Sequence, residues 1–248
     1  MALLQLSGLS RQFGGLNALR NINLTVEPGE LVGLIGPNGA GKTTLINVVT
    51  GVHPASSGTV VFAGEDLTRS KPYQVARRGI ARTFQIVQPF PAMSVVDNVA
   101  AGAMAAGGAS SVKSARDQAV KQLEFVGLAS FAERRAGSLT LAMRKRLELA
   151  KSLAMKPRLL LLDEVNAGLN ATEIDQALML IREIAARGIT ILLIEHIMKV
   201  VLSLCTRIVV LHHGELIAQG QPQDIIRDPM VIQAYLGRRY SQAEQENA

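Results

Sequence analysis

The chain has 248 residues, 48% of them hydrophobic, enough for one large domain or two modest ones around a substantial core. A net charge of +6 and a pI near 9.8 are compatible with nucleic acid, an anionic membrane surface, or a nucleotide-binding protein set against lipid-embedded partners. Trp is absent and only Tyr73, Tyr235 and Tyr240 supply phenols, so no basic stripe carries the aromatics that stack bases, and nucleic acid is the weaker reading. The single cysteine, Cys205, excludes an internal disulfide or a cysteine-built zinc site; flanked by Val200, Val201, Leu202 and Leu204, it reads as a buried, inert thiol. Met1 to Leu6 lack the basic start and long apolar core of a signal peptide. No apolar run reaches membrane-spanning length, the stretch from Val99 to Ser110 being broken by glycine and serine, and a cytoplasmic protein is expected.

In chain order, the apolar segments Leu3 to Leu6 and Ile22 to Val26, then the turn Glu27-Pro28-Gly29-Glu30, predict a hairpin-rich sheet beside a first parallel strand, Leu31-Val32-Gly33-Leu34-Ile35. That strand feeds Gly36-Pro37-Asn38-Gly39-Ala40-Gly41-Lys42-Thr43, a complete GxxxxGK[ST] phosphate-binding loop, and Thr43-Thr44-Leu45-Ile46 opens a helix. Glycines at 36, 39 and 41 leave no side chain in the way, so backbone N–H groups can turn inward around phosphates at the positive end of that helix. Gly36 to Thr44 are therefore the expected nucleotide-binding residues. Lys42 is placed to reach the β and γ phosphates of a triphosphate, and the Thr43 hydroxyl to ligate magnesium.

Gly51 to Gly58 form a turn cluster before the strand Thr59 to Phe62, and Ser70-Lys71-Pro72 starts another helix with Ser70 as its cap. From Val87 to about Gly137 helical periodicity dominates. Ser94-Val95-Val96-Asp97 has the form of a capping box, and Ser114 opens a following helix that runs to Gly127. A basic amphipathic helix beyond Thr140 leads to Lys156-Pro157, then the strand Leu159 to Leu162, a helix after Asn170, the strand Thr190 to Ile194, a helix after His196, and two short strands around His212-His213-Gly214. The fold class is thus α/β: a parallel core sheet over residues 1–86 and 157–240 with an N-terminal antiparallel β subdomain, a helical subdomain inserted at 87–156, and a frayed tail at 241–248.

A fully buried strand reads as a continuous apolar run, and Leu159-Leu160-Leu161-Leu162 is followed at once by Asp163 and Glu164. Acids at that carboxyl end emerge beside the phosphate loop, Asp163 to hold magnesium through its water shell and Glu164 to polarise an attacking water.

With loop and acids in one chain, nearly the whole sequence resembles the ATP-binding subunit of an ABC transporter, a P-loop NTPase fold. The resemblance implies ATP and Mg²⁺ as cofactors and ATP hydrolysis as the activity. It makes Gln85, in Thr83-Phe84-Gln85, the glutamine that contacts magnesium and the attacking water and transmits movement from a membrane partner. It makes His196, in Ile194-Glu195-His196, the switch residue on the γ phosphate, and Phe13 the aromatic that stacks on adenine.

The family signature, LSGGQ, is expected before a basic helix; here it reads Leu139-Thr140-Leu141-Ala142-Met143. In the family this segment binds the γ phosphate held by the other subunit of a dimer. Thr140 keeps the hydroxyl, but Leu141 and Ala142 add side chains where close backbone approach is wanted, and Met143 cannot supply the glutamine's hydrogen bonds. Val165 stands where proline is usual, and Asn166-Ala167-Gly168-Leu169-Asn170 ends in asparagine rather than aspartate. These departures weaken the site the segment serves in a partner, not this chain's own.

The runs Gly79-Ile80-Ala81-Arg82-Thr83-Phe84-Gln85, Ala167-Gly168-Leu169-Asn170, Ile194-Glu195-His196 and Val231-Ile232-Gln233-Ala234-Tyr235-Leu236-Gly237 resemble the branched-chain (hydrophobic) amino acid uptake ATP-binding proteins. These imply a second, different ATP-binding subunit, two membrane permeases, an extracytoplasmic solute-binding protein, and a place on the cytoplasmic face of the membrane. A homodimeric lipopolysaccharide-export ATPase and a soluble ABC ATPase remain alternatives. A chromosome-maintenance ATPase would need long heptad segments between Thr43 and Thr140, and a translation-associated ABC protein would usually hold two cassettes.

Overall fold

The computed structural model describes residues 1–84 and 87–236. Two sheets organise them. The first is antiparallel, in the order β2-β1-β4-β5, from β1 (Leu4–Phe13), β2 (Leu16–Val26), β4 (Ser57–Phe62) and β5 (Glu65–Asp66). The second has the order β10-β9-β3-β8-β7-β6, from β3 (Leu31–Ile35), β6 (Ile80–Arg82), β7 (Leu159–Asp163), β8 (Thr190–Ile194), β9 (Arg207–His212) and β10 (Glu215–Gly220). Its pairs are parallel from β9 through β6, with β10 added antiparallel at one edge. The hairpin-rich sheet beside a parallel core is therefore present as expected.

Strand periodicity explains why the central strands read as unbroken apolar runs. Leu159 and Leu161 of β7 face the core shared with the antiparallel sheet and with α1 (Lys42–Val49), alongside Val32, Leu34, Leu192 and Ile194. Leu160 and Leu162 face the opposite core, packed with Val96, Val99, Leu147, Ile181 and Val200 from the helices. Both faces are covered, so both sets of alternate residues must be apolar.

The helices α3 (Val95–Ala105), α4 (Val112–Phe125) and α5 (Leu141–Ala154) pack on one another, while α2 (Pro72–Arg77), α6 (Ala171–Ala186), α7 (Met198–Leu204), α8 (Pro222–Ile225) and α9 (Pro229–Leu236) attach to the sheets. Ser94 caps α3 by accepting from the Asp97 N–H, and Asn170 with Glu173 closes a reciprocal capping box on α6. Two expected caps are displaced. Ser111, not Ser114, caps α4; the Ser114 N–H is the donor it receives, so Ser114 already lies in the first turn. Lys71, not Ser70, precedes the helix at Pro72, because Gln74 reaches back to the Lys71 N–H and proline takes the first helical position. The 241–248 tail lies outside the described residues.

Gly33, in the middle of β3, shows why helix α7 can approach the sheet so closely. A Cβ there would stand 2.9 Å from Cys205 Sγ and 3.0 Å from Val201 Cγ1. Cys205 is thus a packing residue, and burial pushes its thiol up to about 12. At pH 8 the thiolate fraction is then on the order of 10⁻⁴. Native protein should resist a thiol-specific chromogenic reagent at pH 8 and react with one equivalent once guanidinium unfolds it. Rapid labelling of the native chain would contradict this packing.

Candidate functional site at the carboxyl ends of the core strands

β3 delivers the chain into the phosphate loop through Gly36, whose φ of +151° and hypothetical Cβ, 2.0 Å from the Leu211 carbonyl oxygen, admit no side chain. Gly41 ends the loop in the left-handed region and serves as N-cap of α1 without any side-chain cap, leaving the first N–H groups of that helix available to an anion. The loop is braced from behind by β9 and β10: the Gly214 N–H donates to the Ala40 carbonyl at 2.9 Å, and the Arg20 N–H donates to Gly214 at 2.7 Å. Lys42 folds back over the loop, its Nζ donating to the Gly36 and Pro37 carbonyls at 2.6 and 3.1 Å. Burial lowers the pKa of this ammonium, while the carboxylates of Glu164 and Asp163 oppose the shift.

An open cleft of about 630 Å³, a size suited to one nucleotide, is lined by Phe13, Leu16, Asn38 to Thr44, Glu164, Ile194 and His213. Phe13 is 38% exposed there, with the Arg11 guanidinium 4.3 Å from its ring centre and His53 edge-on at 5.3 Å. Pro37 lies along an adjoining groove with His212, Met230 and Tyr235. Thr43 also lines a second cleft that holds Asp163, Arg82, Glu148 and Lys151, so it stands between nucleotide cleft and acid.

Asp163 ends β7 almost fully buried. Its Oδ2 receives Arg82 Nη2 at 2.9 Å, and its N–H donates to Thr83 Oγ1 at 3.2 Å. Arg82 Nη1 reaches across to Asn47 Oδ1 on α1 at 2.6 Å. The guanidinium therefore ties the loop helix to the acidic strand end. The next residue, Glu164, has φ +47°, a left-handed conformation unusual for a side chain of its kind. Its main chain is held from two sides: its N–H donates to the Ile194 carbonyl at 3.0 Å, and its carbonyl accepts from Lys145 Nζ at 3.0 Å. Lys145 is buried in α5, and desolvation lowers its pKa against the opposing pull of Glu195, Glu164 and Asp163. The exposed His196 ring, just past β8, places Nδ1 3.8 Å from Glu164 Oε1.

The expected residues Lys42, Thr43, Asp163, Glu164 and His196 are thus brought together at one end of the core sheet. Leu139 to Met143 belong instead to the entry of α5, where Thr140 is the N-cap and accepts from the Met143 N–H at 3.4 Å. Gln85 lies outside the described residues. Sequence reasoning passed over Arg82 and Lys145. Arg82 sits in the same run as Gln85, and a lysine amid the apolar face of the basic helix was the available signal for Lys145.

Phosphate loop, acid-ended strand and doubly covered sheet define a nucleoside triphosphatase of the P-loop class. The sequence matches the ABC transporter family over residues 19–167 and the branched-chain amino acid ATP-binding cassette transporter family over residues 215–241. The chain belongs to the ABC transporter family and is one of its ATPases, an ATP-binding subunit. It is 40% identical, over 95% of its length and 98% of theirs, to the high-affinity branched-chain amino acid transport ATP-binding proteins BraF of Pseudomonas aeruginosa and LivG of Escherichia coli K12. A solved structure of the ADP conformation of MJ1267, an ATP-binding cassette of an ABC transporter, superposes with a TM-score of 0.86 at 33% identity, covering 96% of this chain and 99% of that one.

Arg82 and Asp163 are a buried pair, and removing one partner strands the other charge. Arg82→Met should lower unfolding free energy by about 3 kcal/mol, read as a shift of the urea midpoint. An unchanged midpoint would show the pair to be energetically idle.

Proposed function

We propose that this chain hydrolyses ATP to power uptake of branched-chain or other hydrophobic amino acids, at the cytoplasmic face of a membrane and bound to two permease subunits. The observation that carries the enzymatic part is the single cleft that unites Asn38 to Thr44, Phe13 and Glu164. The names of the two relatives that match nearly end to end support the solute class. No helix among the described residues is long and apolar enough to cross a membrane, which fits a peripheral subunit. An extracytoplasmic solute-binding protein would deliver the amino acid. The same reading treats residues 87–156 as a helical subdomain inserted in an α/β core.

In the site, Phe13 stacks on adenine, the N–H groups from Asn38 to Thr44 cradle the phosphates, and Lys42 leaves its carbonyl partners to reach the β and γ oxygens. Thr43 and Asp163 offer a hydroxyl and a carboxylate, hard oxygen donors suited to magnesium, and both line one cleft. These two residues, with Gln85, would hold the ion, which when bound neutralises phosphate charge. Glu164 accepts a hydrogen bond from a water aimed at the γ phosphorus and takes its proton as the new P–O bond forms and the bond to the ADP oxygen breaks. His196 contacts the γ phosphate.

The donors that close over that phosphate come from the signature segment of a second ATP-binding subunit. In this chain Thr140 spends an acceptor lone pair on its own helix cap, which leaves its O–H free to donate. Leu141, however, is 48% exposed at the tip of α5 and shields the surface a phosphate would need to approach. A partner with a different sequence would therefore complete this chain's site, while the site served by Leu139 to Met143 runs more slowly.

Two measurements test the reading. Glu164→Gln in the assembled transporter should cut phosphate release by at least about a hundredfold with ATP binding retained, and near-normal turnover would sink the assignment. Leu141→Gly with Ala142→Gly should raise turnover at the partner's site severalfold. A flat response would show that the variant segment already works well.

A further inference from the structure

Behind Glu164 lies a set of buried polar groups that the chemistry above leaves unused. Glu195 follows β8 and its side chain is wholly buried, a costly position for a carboxylate unless donors surround it. One oxygen is well served: Oε1 accepts from the Asn166 N–H at 3.2 Å and from Asn166 Nδ2 at 2.8 Å. The other is not. Oε2 is buried with no hydrogen-bond partner among the described residues, and it stands 4.0 Å from Nδ1 of His196. Buried Lys145, which holds the Glu164 carbonyl, is also within the field of this carboxylate.

The placement has a direction. Asn166 lies two residues beyond Glu164, in the loop that leads to the Asn170 cap of α6, and it too is buried. Further along that loop, Leu141 of the signature segment sits against Gly168, where a Cβ would come 3.0 Å from Leu141 Cδ2. The His196 side chain, by contrast, is more than half exposed. Most buried side-chain polar atoms in native structures are paired, so an open carboxylate oxygen calls for an explanation. This one is anchored through Oε1 and presents an open acceptor to an exposed imidazole.

We propose that Glu195 is a positioning residue for hydrolysis: its buried carboxylate ties the 165–170 loop, through Asn166, to the strand end that carries His196. When the ring turns in, its Nδ1–H donates to Oε2, which leaves Nε2 for the γ phosphate and fixes ring and loop as one unit. The loop's contact with Leu141 then carries the same adjustment to the segment that serves the partner's site. The proposal rests on the reading of His196 given under the proposed function, and the test separates the two.

The variants Glu195→Gln, Asn166→Ala, their double, and His196→Ala are compared in the assembled transporter by kcat, KM for ATP, equilibrium ATP binding and thermal unfolding. Asn166→Ala is the milder change, because it leaves the carboxylate beside Lys145 and keeps the backbone donor. Expected are losses of kcat of about tenfold for Glu195→Gln and Asn166→Ala, as for groups that orient a reacting side chain, with KM and ATP binding held within about twofold. The double variant should be no slower than the slower single, since each breaks one link of the same chain from Asn166 through Glu195 to His196. Unchanged kcat in both singles, losses that multiply, or a fall in ATP binding that parallels kcat would overturn the proposal. Normal turnover in His196→Ala would instead remove the phosphate role of His196 and with it the ring-orienting half of the proposal, while the Asn166 cycle still decides the loop half.

Discussion

Burial of charge at the carboxyl ends of β7 and β8 is the constraint on which the rest of the site depends. Lys42, Asp163, Lys145 and Glu195 are all nearly inaccessible, and in a low-dielectric interior each requires a partner or a set of donors. The protein meets this by spreading the partners over distant elements: Arg82 from β6 and Asn47 from α1 for the Asp163 end, Asn166 from the following loop for Glu195, loop carbonyls for Lys42. A sheet edge, a loop helix and a catalytic strand are thereby fixed relative to one another by charge rather than by apolar packing alone. Such pairing adds little net stability compared with a hydrophobic replacement, but it dictates geometry, which is what a site for phosphoryl chemistry needs.

Within that frame the chain is unequal in its two halves. Its nucleotide side is built on glycines whose backbone conformations admit no replacement and on a loop braced by β9 and β10. What it would offer a partner, on the proposed reading, is a helix tip with two added side chains, one of them about half exposed. A dimer of identical chains would place the variant segment over both phosphates. The proposed pairing with a different subunit would confine the consequence to one of two sites and leave the other to carry the turnover.

How much of this is legible in the sequence follows from distance along the chain. The phosphate loop, the acid-ended strand and the Ser94 cap of α3 are local patterns, and each lies where the residues predict it. The added partners are not local: Arg82 meets Asp163 across 81 residues, Asn166 meets Glu195 across 29, and Lys145 meets the Glu164 carbonyl across 19. No periodicity in one strand or helix encodes which strand will be its neighbour; the order β8-β7-β6 decides the first two contacts, and the packing of α5 decides the third. The displaced caps at Ser111 and Lys71 are smaller misses of the same origin, since several candidate residues lie within one turn and the rest of the fold selects among them.

The conformation of Glu164 joins these threads. A non-glycine residue at φ +47° costs on the order of 1 kcal/mol and persists only where its surroundings over-determine it. Here the determination comes from two elements at once, β8 through the Ile194 carbonyl and α5 through Lys145. Helix α5 opens at Thr140, so on the proposed reading the helix that would present donors to a partner's phosphate is also the helix whose Lys145 holds the Glu164 carbonyl. Were a dimer to close, a displacement of α5 by about 1 Å would be enough to change hydrogen-bond geometry at Glu164. On the proposed reading the two sites of a dimer would then be coupled through a single lysine and a strained backbone.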